Sequence, residues 1–138
     1  MRTLTQAEWH DLLTPLIGRP YKFGADGPDA YDCWGLVRHL LFELGVPSER
    51  LPAFDGQSYE SIGESLRKDW LGGAWERVET GRPGDAVLMA RLKGYHHVGM
   101  VTPSGVIHAD EPLGVCIQNE GSLKIAFWQR WVYFRWAA

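Results

Sequence analysis

Asp32-Cys33-Trp34-Gly35-Leu36-Val37-Arg38-His39-Leu40-Leu41-Phe42-Glu43-Leu44-Gly45 carries the strongest periodicity in the chain. Trp34, Leu36, Val37, Leu40, Leu41 and Leu44 recur at three- and four-residue spacing, which predicts a helix starting near Asp32 with one strongly apolar side. Gly45 stands where helices commonly end in a left-handed residue, and Pro47 just beyond it cannot continue the helix. A helix this apolar on one side must pack centrally. Asp32 is a natural N-cap residue, which puts Cys33 in the first turn.

Upstream, residues 5–16 read as a helix with a Thr5/Glu8 capping box and an apolar stripe of Trp9, Leu12, Leu13 and Leu16. Gly18-Arg19-Pro20 ends it, and residues 21–31, with Gly24, Gly27 and Pro28, read as an ordered loop. Downstream, residues 58–70 predict a third helix with Ser58 as cap and Ile62, Leu66 and Trp70 facing inward. After Gly72-Gly73 the pattern turns to short strands at 75–79, 85–91, 97–102, 105–109, 114–118 and 131–136, separated by Gly, Pro and Ser. Helices first and an antiparallel sheet second is the α+β pattern, and without repeat or linker the expectation is a single domain over 1–138.

Composition narrows the function. A 138-residue chain is large enough to bury about two-thirds of its unfolded surface. Its net charge of −3, with Lys and Arg scattered, gives no field suited to nucleic acid or an anionic membrane. No run of apolar residues reaches the length of a membrane span, and Met-Arg-Thr-Leu-Thr-Gln has no signal-peptide core. The expected localisation is therefore cytoplasmic on synthesis. Seven Trp and five Tyr suggest a core of large rings or an aromatic groove, and Trp128, Trp131, Tyr133, Phe134 and Trp136 read as a core-covering last strand.

Two cysteines are too few for a disulfide framework. Cys116, in Gly-Val-Cys-Ile-Gln, reads as a small hydrophobe on a strand. Cys33 at a helix start differs: unpaired N–H groups and the positive end of the macrodipole favour thiolate, lowering the pKa from about 8.5, and can also receive an oxyanion. It is therefore expected to be the only reactive thiol. His97 opens an apolar strand, and His108 lies on the next one across a Pro103-Ser104-Gly105 turn, so a tight hairpin sets them on neighbouring strands. One imidazole is then available to deprotonate the thiol as a thiolate–imidazolium pair, while the other accepts its Nδ1–H. The competing reading is zinc held by Cys33, His97 and His108, although close-spaced ligand pairs are missing.

These residues resemble a known family. Asp32-Cys33-Trp34-Gly35-Leu36-Val37 is similar to the Asp-Cys-Ser-Gly-Leu-Val signature of NlpC-type cell-wall cysteine peptidases. His97-Val98-Gly99-Met100-Val101 resembles their His-Val-Gly-Ile-Tyr box, and Val106-Ile107-His108-Ala109 their third motif. Gly18-Arg19-Pro20-Tyr21-Lys22-Phe23-Gly24 and Arg82-Pro83-Gly84-Asp85-Ala86-Val87 resemble two further motifs of the family, all in the right order. The resemblance implies a papain-like α+β fold and cleavage of γ-D-glutamyl-diaminopimelate or related amide bonds in peptidoglycan stem peptides; no cofactor or metal is expected. It makes Cys33 the nucleophile, His97 the base and His108 the orienting member, with the Tyr21 hydroxyl near the oxyanion.

Asp32, Trp34 and His96 are the candidates for substrate contact, with Asp32 also expected to cap the helix. Trp34 departs from the family's Ser and is expected to narrow the groove; His96 is expected to point to the strand face opposite His97. His39 reads as structural, His10 as surface, and Asp26, Asp29 and Asp110 as turn caps near the motifs. The Trp34 variant resembles the tail-assembly peptidases of phages and prophages, which implies tail proteins as partners and delivery from a virion tail to the cell wall. Two alternatives stay open: a non-catalytic or tail-protein-processing module on the same fold, and acyl transfer instead of hydrolysis.

Overall fold

The structure, a computed structural model, describes residues 1–46, 75–91 and 94–136. The helix expected at 58–70 lies outside the described residues. Helix α1 spans Gln6–Leu13; Thr5 Oγ1 accepts from Glu8 N–H and Glu8 reaches back to Thr5 N–H, completing the capping box. Helix α2 spans Cys33–Glu43, capped by Asp32. Strands follow as β1 (Trp75–Val78), β2 (Ala86–Arg91), β3 (Gly94–Thr102), β4 (Gly105–Asp110), β5 (Gly114–Gln118) and β6 (Arg130–Trp136), with a short helix α3 (Glu120–Ile125) before the last. The sequence reading missed α3; its signal was Asn119, whose side chain accepts from Ser122 N–H.

The strands form one six-stranded antiparallel sheet in the order β1-β6-β2-β3-β4-β5. This α+β arrangement is the expected one, and β2 shows why it is stable. Successive side chains of a strand face opposite ways. Ala86 and Leu88 join the main core with α1 and α2, whereas Val87 and Met89 face a smaller core with Leu123 and Trp128. Helix α2 packs on β3 and β4, and its Leu36, Val37, Leu40 and Leu41 are fully buried. Each such side chain contributes about 1.5–3 kcal/mol. Asp85, of the Pro-Gly-Asp run, is buried at the start of β2, where it accepts from Arg82 N–H and takes the Arg135 guanidinium on both oxygens. That motif therefore pins β2 to β6.

Candidate active site

The start of α2 is built by Asp32. Its Oδ1 accepts from Gly35 N–H at 2.6 Å and its Oδ2 from Gly24 N–H at 2.8 Å, tying the preceding loop to the first helical turn. Gly35 has to be glycine here, because a Cβ would collide with the Ala25 carbonyl. The same loop is stitched by Lys22 N–H to the Tyr31 carbonyl and Tyr31 N–H to the Pro20 carbonyl, so Tyr21 is bridged to Tyr31, two residues before Cys33. Two expectations are corrected. Both oxygens of buried Asp32 are engaged by backbone amides, which makes it a clamp of the loop onto the helix start and not a group presented to substrate. Trp34 is 3% exposed and belongs to the main core, so its ring does not wall a groove.

The histidines sit where the sheet opens. Strands β3 and β4 turn through Pro103-Ser104 and pair as Thr102–Gly105, Val101–Val106 and Met100–Ile107. Beyond that point both strands continue, β3 paired with β2 and β4 with β5, but not with each other. Across the opening His97 Nε2 lies 3.0 Å from His108 Nδ1, with the rings perpendicular at 89°. The backbone N–H of Val98, next to His97, is directed at the Cys33 thiol. Gly99 allows the close approach, since a Cβ there would come within 2.7 Å of the Ile107 carbonyl. The expected hairpin is therefore present, but with a different atom. His97 offers Nε2, not Nδ1, to its partner, because the distal nitrogen is the one that reaches across to β4.

His108 in turn places Nε2 2.7 Å from Gln118 Oε1 and 3.7 Å from Cys116 Sγ. Cys116 lies opposite His108 in the β4–β5 register, and Gln118 two residues further on. Sequence reading missed Gln118; the alternation of β5, which sets residues 116 and 118 on one face, was the available signal.

Trp128 lies in a core as expected, but its stacking on the histidines was missed, and His96 points differently from the expectation. Trp128 is 3% exposed and stacks on His97, centroids 4.8 Å apart and planes within 18°. It meets His108 edge-on, and the Arg91 guanidinium lies 3.9 Å from its ring centre. Met89 pairs with His97 but Ala90 with Tyr95, so His96 is the extra residue of a β-bulge. The bulge breaks the alternation, and the His96 ring also turns onto Trp128, at 5.7 Å, instead of to the opposite face. Phe127 sets the indole in place. It ends α3 at φ 69°, a left-handed conformation costly for a bulky residue, and Trp128 N–H closes back on the Leu123 carbonyl.

Burial dominates the electrostatics. It pushes the Cys33 thiol up to about 12, with the Asp32 charge adding to it; the N–H groups of Val98, Trp34 and Cys33 act the other way without prevailing. The lowered thiol pKa expected from the helix start is therefore not found, since the thiol of a cysteine 3% exposed loses more to desolvation than it gains from the helix. Burial also holds His97 well below the ordinary imidazole value, helped by His108, His96 and Arg91. His108 is lowered by burial, against the opposing pull of Gln118 and Asp110. Burial thus favours the neutral thiol and the neutral imidazole, against the expected thiolate–imidazolium.

The remaining candidates are structural. Asp110 is buried, accepts from Leu113 N–H and lies 4.0 Å from Arg91; Asp26 lies 3.8 Å from Arg38; His39 rests against Tyr31; Asp29 and His10 are exposed. The half-buried Cys116 thiol is raised to about 11 by burial. Among the described residues, no group of three or more His, Cys, Asp or Glu side chains is arranged to hold a metal ion.

The sequence model of the NlpC/P60 family matches residues 18–134. The chain is 28% identical over 106 residues to "Probable endopeptidase p60" of Listeria innocua, covering 75% of this chain and 19% of that protein. The protein of the same name from Listeria monocytogenes matches at 28% over 106 residues, covering 75% and 18%. The chain thus spans under a fifth of the length of these curated relatives. Two solved structures share its fold. The NlpC/p60 domain of the peptidoglycan hydrolase SagA superposes with a TM-score of 0.56 at 20% identity, covering 95% of this chain and 97% of that one. NlpC2 from Trichomonas vaginalis gives 0.60 at 21% identity, covering 94% and 46%.

Proposed function

The chain belongs to the NlpC/P60 family, and from that premise we propose that it is a cysteine peptidase hydrolysing amide bonds of peptidoglycan stem peptides, of the γ-D-glutamyl-diaminopimelate type. Cys33 is the nucleophile, His97 the base and His108 the member that orients it. The observation that carries this reading is the buried 3.0 Å hydrogen bond between His97 Nε2 and His108 Nδ1, on strands packed against the helix that Cys33 begins. With Nε2 committed to His108, Nδ1 is the nitrogen left to act as base. Family membership and the p60 relatives' name support the substrate class.

With burial favouring the neutral form of each group, charge separates as the sulfur attacks. Cys33 Sγ–H passes its proton to His97 Nδ1 as sulfur adds to the carbonyl carbon, and N–H groups of the first helical turn receive the oxyanion. Collapse breaks the C–N bond; the leaving amine takes the proton from His97. Water, deprotonated by the same nitrogen, then cleaves the thioester. Tyr21, held beside the helix start, is assigned to the oxyanion side by the family motif.

We assign the enzyme to a phage or prophage tail, made in the cytoplasm and delivered to the wall; the Asp32-Cys33-Trp34-Gly35-Leu36-Val37 variant supports this. Digestion of purified peptidoglycan with mass analysis of the fragments tests the activity. Cleavage that releases a diaminopimelate amine, and that disappears in Cys33→Ala, is the expected result. Equal fragments from both proteins, or activity lost to EDTA and restored by zinc, overturn it. Mass analysis of purified virions tests the tail assignment, which falls if the protein is missing from them.

A further inference from the structure

We propose that Gln118 is a positioning residue that fixes the proton arrangement of the whole relay, so that His97 meets Cys33 with a bare Nδ1. This inference rests on the proposed roles of Cys33 and His97. Each neutral imidazole carries one N–H donor and one bare acceptor nitrogen, and an amide oxygen can only accept. His108 Nε2 lies 2.7 Å from Gln118 Oε1, so it carries the hydrogen and donates it. His108 Nδ1 is then bare and accepts from His97 Nε2 across 3.0 Å. His97 consequently holds its hydrogen on Nε2, and its Nδ1 lone pair is free for the thiol proton.

The arrangement has direction because Gln118 presents its oxygen, an acceptor, to His108. Without Gln118, His108 is free to carry its hydrogen on Nδ1 and to donate to His97 Nε2. The hydrogen of His97 then moves to Nδ1, where it blocks proton transfer from Cys33. Cys116 Sγ, 3.7 Å from the same His108 nitrogen, is too weak an acceptor to replace an amide oxygen. The raising effect of Gln118 on the His108 pKa fits an oxygen that accepts. Both histidines are almost fully buried, which limits competition from bulk solvent for these positions. When His97 takes the thiol proton it becomes an imidazolium whose Nε2–H still donates to His108, and no hydrogen bond has to reverse.

The test reads the protons directly. Two-bond 15N–1H spectra of 15N-histidine-labelled Cys33→Ala protein at pH 8, where both rings are neutral, should show His97 and His108 each protonated at Nε2. Adding Gln118→Met should move hydrogen to Nδ1 of His108 and of His97, whereas Gln118→Glu, which keeps an accepting oxygen, should leave the pattern unchanged. In the enzyme with Cys33 intact, Gln118→Met should lower kcat about ten- to a hundredfold with little change in KM, as losses of an outer partner do, and Gln118→Glu should retain more. Nδ1 protonation of His108 in the Cys33→Ala protein, or an unchanged pattern in folded Gln118→Met, overturns the proposal. Should the peptidase reading fail, activity is absent from every variant while the spectra still report on Gln118.

Discussion

His97 lies flat on Trp128, ring centres 4.8 Å apart and planes within 18°. The contact fixes the imidazole plane, and with the hydrogen bond to His108 it leaves the base one orientation. Trp128 comes from the segment after α3. Replacing it should damage both fold and chemistry. Trp128→Ala removes a buried indole and should cost about 3–5 kcal/mol in urea unfolding. Trp128→Phe keeps a ring against His97 and should lose less than half of that, with kcat well above the Ala variant. Equal kcat in folded Phe and Ala variants would show that the stack does not position the base.

The identity of the contacting nitrogen sets the order of His108 substitutions. Nδ1 stands close to the Cβ of His108, at the reach of an asparagine Oδ1 and short of a glutamine Oε1. His108→Asn should therefore keep more activity than His108→Gln, and His108→Ala least, by about tenfold or more relative to Asn. His97→Ala should fall as far as Cys33→Ala, since members of one unit do not act additively. Steady-state kinetics on a stem peptide decides the order. Gln above Asn would mean that His108 presents its other nitrogen.

The pH dependence follows from burial. The folded-state pKa of both His97 and His108 is lowered, so below about 6.5 the unfolded chain binds more protons than the native one. Their contribution to stability is present above that value and is lost as pH falls through it. Cys33 works the other way: its folded pKa is about 12, so stability is intact below the unfolded thiol's value near 8.5 and declines as pH rises beyond it. Turnover by a neutral base should give a broad plateau with its acid limb below pH 6.5, not the narrow bell of a preformed ion pair. Thermal melts and kcat/KM over the same pH series check both, and an acid limb above pH 6.5 would contradict a neutral resting His97.

The thiols should also distinguish themselves by what triggers them. Cys33 is buried and Cys116 half-buried, with both thiols raised, so iodoacetamide near neutral pH should label both slowly. A stem peptide carrying an electrophile at the cleaved carbonyl should label Cys33 alone, at a rate cut at least tenfold by His97→Ala. Peptide mass mapping reads the result. Labelling of Cys33 that is indifferent to His97 would separate the two residues.

Helix α2, the succession of strands along the chain and the placing of His97 and His108 on neighbouring strands were all legible in the sequence. These features come from short-range rules: apolar spacing at three and four residues, alternation at two, a cap before a helix and glycine where two chains touch. The register Thr102–Gly105 even follows from the turn between the histidine strands. What tertiary structure alone decided is how these parts face one another. A single bulge residue brought His96 round to the same side as His97, and the parting of β3 from β4 made the opening that His97 and His108 bridge. Trp128 reached them from a distant segment, and Gln118 from a neighbouring strand. Burial likewise pushes both groups toward their neutral forms: a helix start favours thiolate when it meets solvent, but desolvation in a closed interior acts against that local field. Local spacing cannot report how much protein lies over a side chain.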